Sequence, residues 1–356
     1  MQTLLRYYSF SLLFTAVCMA LAAWYGWAST GSMSGMLTVL WIVFVLSILE
    51  VSLSFDNAVV NATVLREMDA VWQQRFLTIG ILIAVFGMRI IFPIAIVSVA
   101  ANIGPWAAVE LSLGDPEEYE RIVSAAHIGI AGFGGAFLSM VGLTFFFDEE
   151  KDVHWIKSIE ESAARFSSIP ALEIALVLSV IMGVSTLLDP SDALTFLTAA
   201  IFGLLTYIAV HALGEVIEQR ETRKKAAGEI VRSGLGGFLY LEVLDASFSF
   251  DGVVGAFALS NNMIVIALGL SVGAMFVRSM TVHLVKTGTL SQFRFLEHGA
   301  FWAIIVLGVI MLLSARYHIN ETITGLIGAT LIGLSFLWSV RHNRKEAKPS
   351  SASAQT

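Results

Sequence analysis

Marked as apolar or polar, the positions of this chain fall into long apolar blocks separated by short polar breaks, at roughly 8–28, 37–64, 76–100, 124–147, 169–188, 193–213, 235–260, 262–286, 299–315 and 321–340. A helix needs about 20 mostly apolar residues to cross a bilayer core. The pattern therefore predicts an all-α polytopic membrane protein with ten transmembrane helices. Two blocks are interrupted by the same polar octet, LEVSLSFD at 49–56 and LDASFSFD at 244–251. The likeness continues from SFDNAVVNA (54–62) to SFDGVVGAF (249–257), and Arg89 in the third block has a counterpart in Arg278 of the eighth.

Charge orients these blocks. With a cytoplasmic N-terminus, 17 of the 21 Lys and Arg lie on the inside, only Arg121 and Arg316 lie outside, and Arg89 and Arg278 lie within spans. That asymmetry follows the positive-inside rule and places both termini in the cytoplasm. The first octet is then on a helix running inward and the second on one running outward. The ten helices divide as a 5+5 inverted repeat, an architecture in which transporters place a site near the bilayer midplane. Residues 1–213 hold the first half (helices 1–5) and helix 6. Residues 214–234 form a charged cytoplasmic segment, expected to be a solvated helix. Residues 235–340 complete the second half, and 341–356 form a disordered cytoplasmic tail.

Composition agrees and excludes several functions. The chain is 56% hydrophobic and 14% charged, with a mean hydropathy of +0.78, far from a soluble domain. A net charge of −7 with no dense basic stripe excludes a nucleic-acid partner. Cys18 is the single cysteine, so an internal disulfide and a multi-cysteine metal site are both excluded. Residues 1–28 share features with a signal peptide, but Trp24, Tyr25 and Trp27 read as an interfacial aromatic belt. No enzyme is expected. H-E-x-x-H is absent, GSMSG at 31–35 has Met33 where a nucleophilic serine belongs, and Gly132-x-Gly134-Gly135 has no strand before it. No G-x-x-x-x-G-K-[ST] motif offers ATP as a drive.

The chemistry therefore lies in the octets. Each of Glu50, Asp56, Asp245 and Asp251 costs about 2.5–3.5 kcal/mol at mid-membrane on an insertion scale, more than packing justifies. Against Arg89 and Arg278 they leave two negative charges, which one divalent cation would neutralise. The supporting groups are Ser54, Asn57, Asn61, Ser249 and Glu242, one turn before Asp245. These are hard oxygen donors, suited to Mn²⁺, Ca²⁺ or Mg²⁺. His127 and His298 form a further candidate pair. Positions 50 and 56 point about 120° apart on an ideal helix. Either the helices break near Asp56-Asn57 and Asp251-Gly252, as Gly252 favours, or the acids have separate roles. The bland alternative is a structural ion-pair network with the two arginines. Glu173 reads as a first-turn acid at a helix start, and Gly269-x-x-x-Gly273 as close helix packing.

The motifs E-x-S-L-S-F-D-N-A-V (50–59) and D-x-S-F-S-F-D-G-V (245–253) resemble those of the TerC family of integral membrane proteins, in particular a TerC-related branch described as a domain of unknown function. The resemblance implies an association with tellurite resistance and manganese export, within a wider superfamily of cation and amino-acid exporters. It makes Asp56 and Asp251 the principal metal-site acids, with Glu50 and Asp245 beside them. Gly252 departs from the pattern, because it stands where the first copy has Asn57 and removes an amide ligand. The expectation is a secondary transporter in a bacterial inner membrane, exporting a divalent cation with Mn²⁺ favoured, and holding no permanent cofactor. A non-transporting scaffold of a stress or metal-resistance complex, and an exporter of a small organic solute, stand as alternatives. Cargo, coupling ion, direction and oligomeric state stay open.

Overall fold

A computed structural model describes residues 2–346, except 81, 149–152, 167–168, 170, 227–233, 258, 261, 318 and 320. Every regular element among the described residues is helical. α1 (Gln2–Thr30) turns at Gly31 into α2 (Met33–Leu53), whose first turn is capped by Ser32 Oγ accepting from the Gly35 N–H at 3.1 Å. Gly31 has φ 61°, the left-handed geometry that glycine adopts without a Cβ penalty. α3 (Phe55–Glu67) follows α2 after one intervening residue, Ser54. α4 (Ala70–Arg75) then runs through two π-helical segments, Phe76–Gly80 and Ile83–Ile91, into α5 (Phe92–Ala100).

The acidic stretch near 102–123 folds into α6 (Pro105–Gly114) and α7 (Pro116–Ala125), each with proline in its first turn and α7 capped by Asp115. The rest of the chain is α8 (His127–Phe146), α9 (Lys157–Phe166), α10 (Leu172–Ser185), α11 (Pro190–Ala226), α12 (Leu235–Phe257), α13 (Met263–Thr287), α14 (Thr289–Gln292), α15 (Leu296–Ser314) and α16 (Glu321–Glu346).

Among the described residues, seven stretches are long and apolar enough to cross a membrane: Tyr7–Thr30, Met33–Leu53, Ala70–Val99, His127–Phe146, Pro190–Ile217, Met263–Thr287 and Leu296–Ser314. Helices also occupy the other three expected positions. α10 is apolar but short, α12 carries Glu242, Asp245 and Asp251 along its length, and α16 is not among the seven. The outer surface is apolar, with Leu13, Trp24, Trp41 and Ile91 all exposed. A surface of that kind suits lipid, and with these helices it marks an integral membrane protein.

Burial separates centre from periphery. In α8, α13 and α15, 67%, 72% and 61% of the apolar window is buried, against 22% in α1 and α2. The central helices therefore set the site. One end of the bundle is tied by hydrogen bonds between Tyr25 and Asn262 (2.6 Å) and between His127 and Ser314 (3.1 Å). The other is tied by Arg66–Glu297 (3.1 Å), Asn343 to the Gln292 carbonyl (2.7 Å) and Tyr7 stacked on His283.

The described helices depart from expectation at the octets and at the tail. The first octet helix breaks at Ser54, two residues before the expected Asp56-Asn57, while α12 runs unbroken through Asp251-Gly252. The charged segment continues α11 as far as Ala226, and 227–233 lie outside the described residues. α16 continues to Glu346, so the first residues of the expected tail are helical, and 347–356 lie outside the described residues.

Candidate functional site

The break at Ser54 is a single-residue kink. Ser54 has φ −103° and ψ 17°, yet its N–H still reaches the Glu50 carbonyl at 2.9 Å and its own carbonyl accepts from the Ala58 N–H at 3.3 Å. The kink separates side chains that an ideal helix would align. Ser52 turns outward and donates to the Ile48 carbonyl (2.8 Å), whereas Asp56 is buried in the first turn of α3. Its Oδ1 accepts from the Asn57 N–H at 2.9 Å, where the positive end of the helix dipole favours a carboxylate.

Glu50, 2% exposed, accepts from Ser54 Oγ (3.0 Å) and forms an ion pair with Arg89 Nη2. Arg89, 3% exposed, also donates from Nη1 to the Ala84 carbonyl (2.9 Å), and its Nε has no hydrogen-bond partner among the described residues. Two glycines make room for this pair. A Cβ on Gly252 would lie 2.8 Å from Glu50 Oε2, and one on Gly273 would overlap the Glu50 side chain and lie 2.9 Å from the Ser47 carbonyl. Gly252 thus admits a carboxylate and does not break its helix. Gly269-x-x-x-Gly273 seats α2, with Ser47 Oγ donating to the Gly269 carbonyl at 3.0 Å.

On the second octet, Asp245 is partly buried and accepts from Asn57 Nδ2 at 2.9 Å. Arg278 lies 3.9 Å above the Phe76 ring, and its Nε and Nη2 have no hydrogen-bond partner among the described residues. Glu242 Oε1, Asn57 Oδ1, Asn61 Oδ1 and Ser249 Oγ are likewise buried without one. The Asp251 side chain lies outside the described residues.

Two chambers meet at Ser54. The first is lined by Glu50, Ser54, Asp56, Gly328, His127 and Ser314. The second is lined by Ser54, Asn57, Asn61, Phe76, Arg89, Glu242, Asp245 and Arg278. Of these two chambers, Glu50 lines the first and Arg89 the second. Among the described residues, no three of His, Cys, Asp and Glu converge to hold a metal ion.

The histidines separate. His127 joins the first chamber, but His298 lies at the other end, its Nδ1 2.9 Å from Glu160 Oε2. Glu160, 1% exposed, also accepts from Trp302 Nε1 (2.8 Å) and from the Trp155 and Ile156 N–H groups (2.8 and 3.1 Å). Burial alone would raise its carboxyl. The bonds from His298, Trp302 and Ile156 prevail and hold it at about 2. Sequence reasoning missed Glu160, since nothing in KSIEESAARF distinguishes it from Glu161.

Fold and site together define an all-helical integral membrane protein with paired carboxylates and arginines buried at its centre. The chain belongs to the family described as Protein of unknown function (DUF475), whose model matches residues 55–346. That match takes in Asp56 and the whole second octet, while Glu50 precedes it. No curated protein and no solved structure matches the chain.

Proposed function

We propose that this protein is a secondary transporter that exports a divalent cation, Mn²⁺ in preference to Ca²⁺ or Mg²⁺, from a bacterial cell across its inner membrane. Ten spans in two inverted halves, and the resemblance of both octets to TerC proteins, belong to the same proposal. The observation that carries it is the meeting of two chambers at Ser54, with Glu50 and Asp56 on one side and Asp245 and Glu242 on the other. Buried carboxylates facing internal space are the usual mark of an ion pathway.

Glu50, Asp56 and Ser54 supply hard oxygen donors, and water completes the shell of a cation that dehydrates reluctantly. Asp251 enters as a ligand through the motif. The second chamber supports another cargo, a small zwitterion, because unbonded Arg278 donors and the unbonded Glu242 Oε1 face the same space. The deciding experiment is Mn²⁺ flux, with Ca²⁺ and Mg²⁺ compared, into proteoliposomes of wild-type and Asp56→Asn protein. Flux should fall to background in the variant while membrane insertion is unchanged. Normal flux in Asp56→Asn defeats the assignment. Wild-type protein that moves a small amino acid but no cation selects the zwitterion.

A further inference from the structure

We infer that Arg89 is an internal stand-in for the cargo, a tethered cation that neutralises Glu50 when the site is empty and yields that carboxylate when a cation binds. This rests on the transport reading above. Three independent features support it. Glu50 belongs to one chamber and Arg89 to the other, so their ion pair is itself part of the partition between the chambers. Arg89 is incompletely held, with Nε unbonded although the residue is only 3% exposed. It also lies on the π-helical segment Ile83–Ile91, and such segments accompany functional sites.

The energetics assign the role. A buried carboxylate left without a partner is strongly unfavourable, so an empty carrier needs a positive charge at Glu50 before it can rearrange. Arg89 supplies that charge from the far chamber. A cation arriving from the first chamber competes with the guanidinium for the same oxygen, Glu50 Oε1. Displacement of Arg89 would then open the partition at Ser54. Cargo binding and opening thereby become one event.

The test separates two kinds of transport. Exchange of cation for cation requires only the loaded carrier to rearrange, whereas net flux also requires the empty one to return. In Arg89→Gln, exchange in proteoliposomes should persist, net flux should be lost, and Mn²⁺ should bind on the order of tenfold tighter because its competitor is gone. Arg89→Lys keeps the charge but loses the planar fork, so it should retain net flux and bind Mn²⁺ with intermediate affinity. Arg89→Gln with wild-type net flux, or with unchanged or weaker Mn²⁺ binding, overturns the proposal. If Arg89→Gln does not fold, Arg89→Lys decides, and an unchanged affinity there overturns it. Wild-type protein that neither binds nor moves a cation defeats the transport reading itself, a different failure.

Discussion

The two octets share their letters but not their local structure. In the first, the helix kinks at Ser54 and Glu50 is locked to Arg89. In the second, α12 is continuous, Asp245 takes an amide hydrogen bond from Asn57, and Arg278 rests on an aromatic ring. Among the described residues, matched sequence has therefore produced an ion pair at one octet and an amide hydrogen bond at the other. The difference traces to small residues. Gly252 and Gly273 clear the space that Glu50 fills, so the first octet's acid is seated by glycines of α12 and α13.

This contrast predicts unequal costs for matched substitutions. Glu50→Gln leaves the Arg89 charge buried without its counter-ion and should cost about 3–5 kcal/mol. Asp245→Asn keeps an acceptor for the Asn57 amide and should cost about 1 kcal/mol. Thermal unfolding of the two variants in detergent measures the gap. Equal destabilisation would show that the two octets are energetically alike despite their geometry.

Much of this is legible in the chain and some is not. The long apolar blocks account for helices at every expected position, and seven of the described stretches are long and apolar enough to span, because apolar length specifies a span. The octets flag Glu50, Asp56 and Asp245, and their flanking helices both arginines, since charge is rare in such blocks. Periodicity does not show that Ser54 kinks, as serine tolerates both helical and capping geometry. It does not separate His127 from His298 either, because their different ends depend on packing between distant helices. Gly252 reads as a helix breaker in the sequence, whereas its role is set by a carboxylate some two hundred positions away.

A contact outside both octets sharpens the comparison further. Glu160 ties the segment after α8 to His298 and Trp302 at the start of α15, whose other end lines the first chamber. Glu160→Gln removes a charge-assisted acceptor and should cost about 1–3 kcal/mol. Because the carboxyl is held at about 2, below its ordinary 4.5, its contribution is complete above 4.5 and is lost as pH falls from there toward 2. The melting temperature of wild-type protein should therefore fall over that range more steeply than that of Glu160→Gln. Parallel pH profiles would remove Glu160 from the account of stability.

An effect well below that of Glu50→Gln is expected at Arg278. Its guanidinium has two nitrogens without hydrogen-bond partners among the described residues and lies over the face of Phe76 at 3.9 Å. A desolvated cation–π contact is worth about 2 kcal/mol, and removing a buried charge offsets part of that loss. Arg278→Gln should thus lower stability by less than about 2 kcal/mol, well short of Glu50→Gln. If Arg278→Gln instead destabilises as strongly as Glu50→Gln, Arg278 holds a charge partner as firmly as Arg89 does, and the surroundings of the two octets differ in shape but not in electrostatic design.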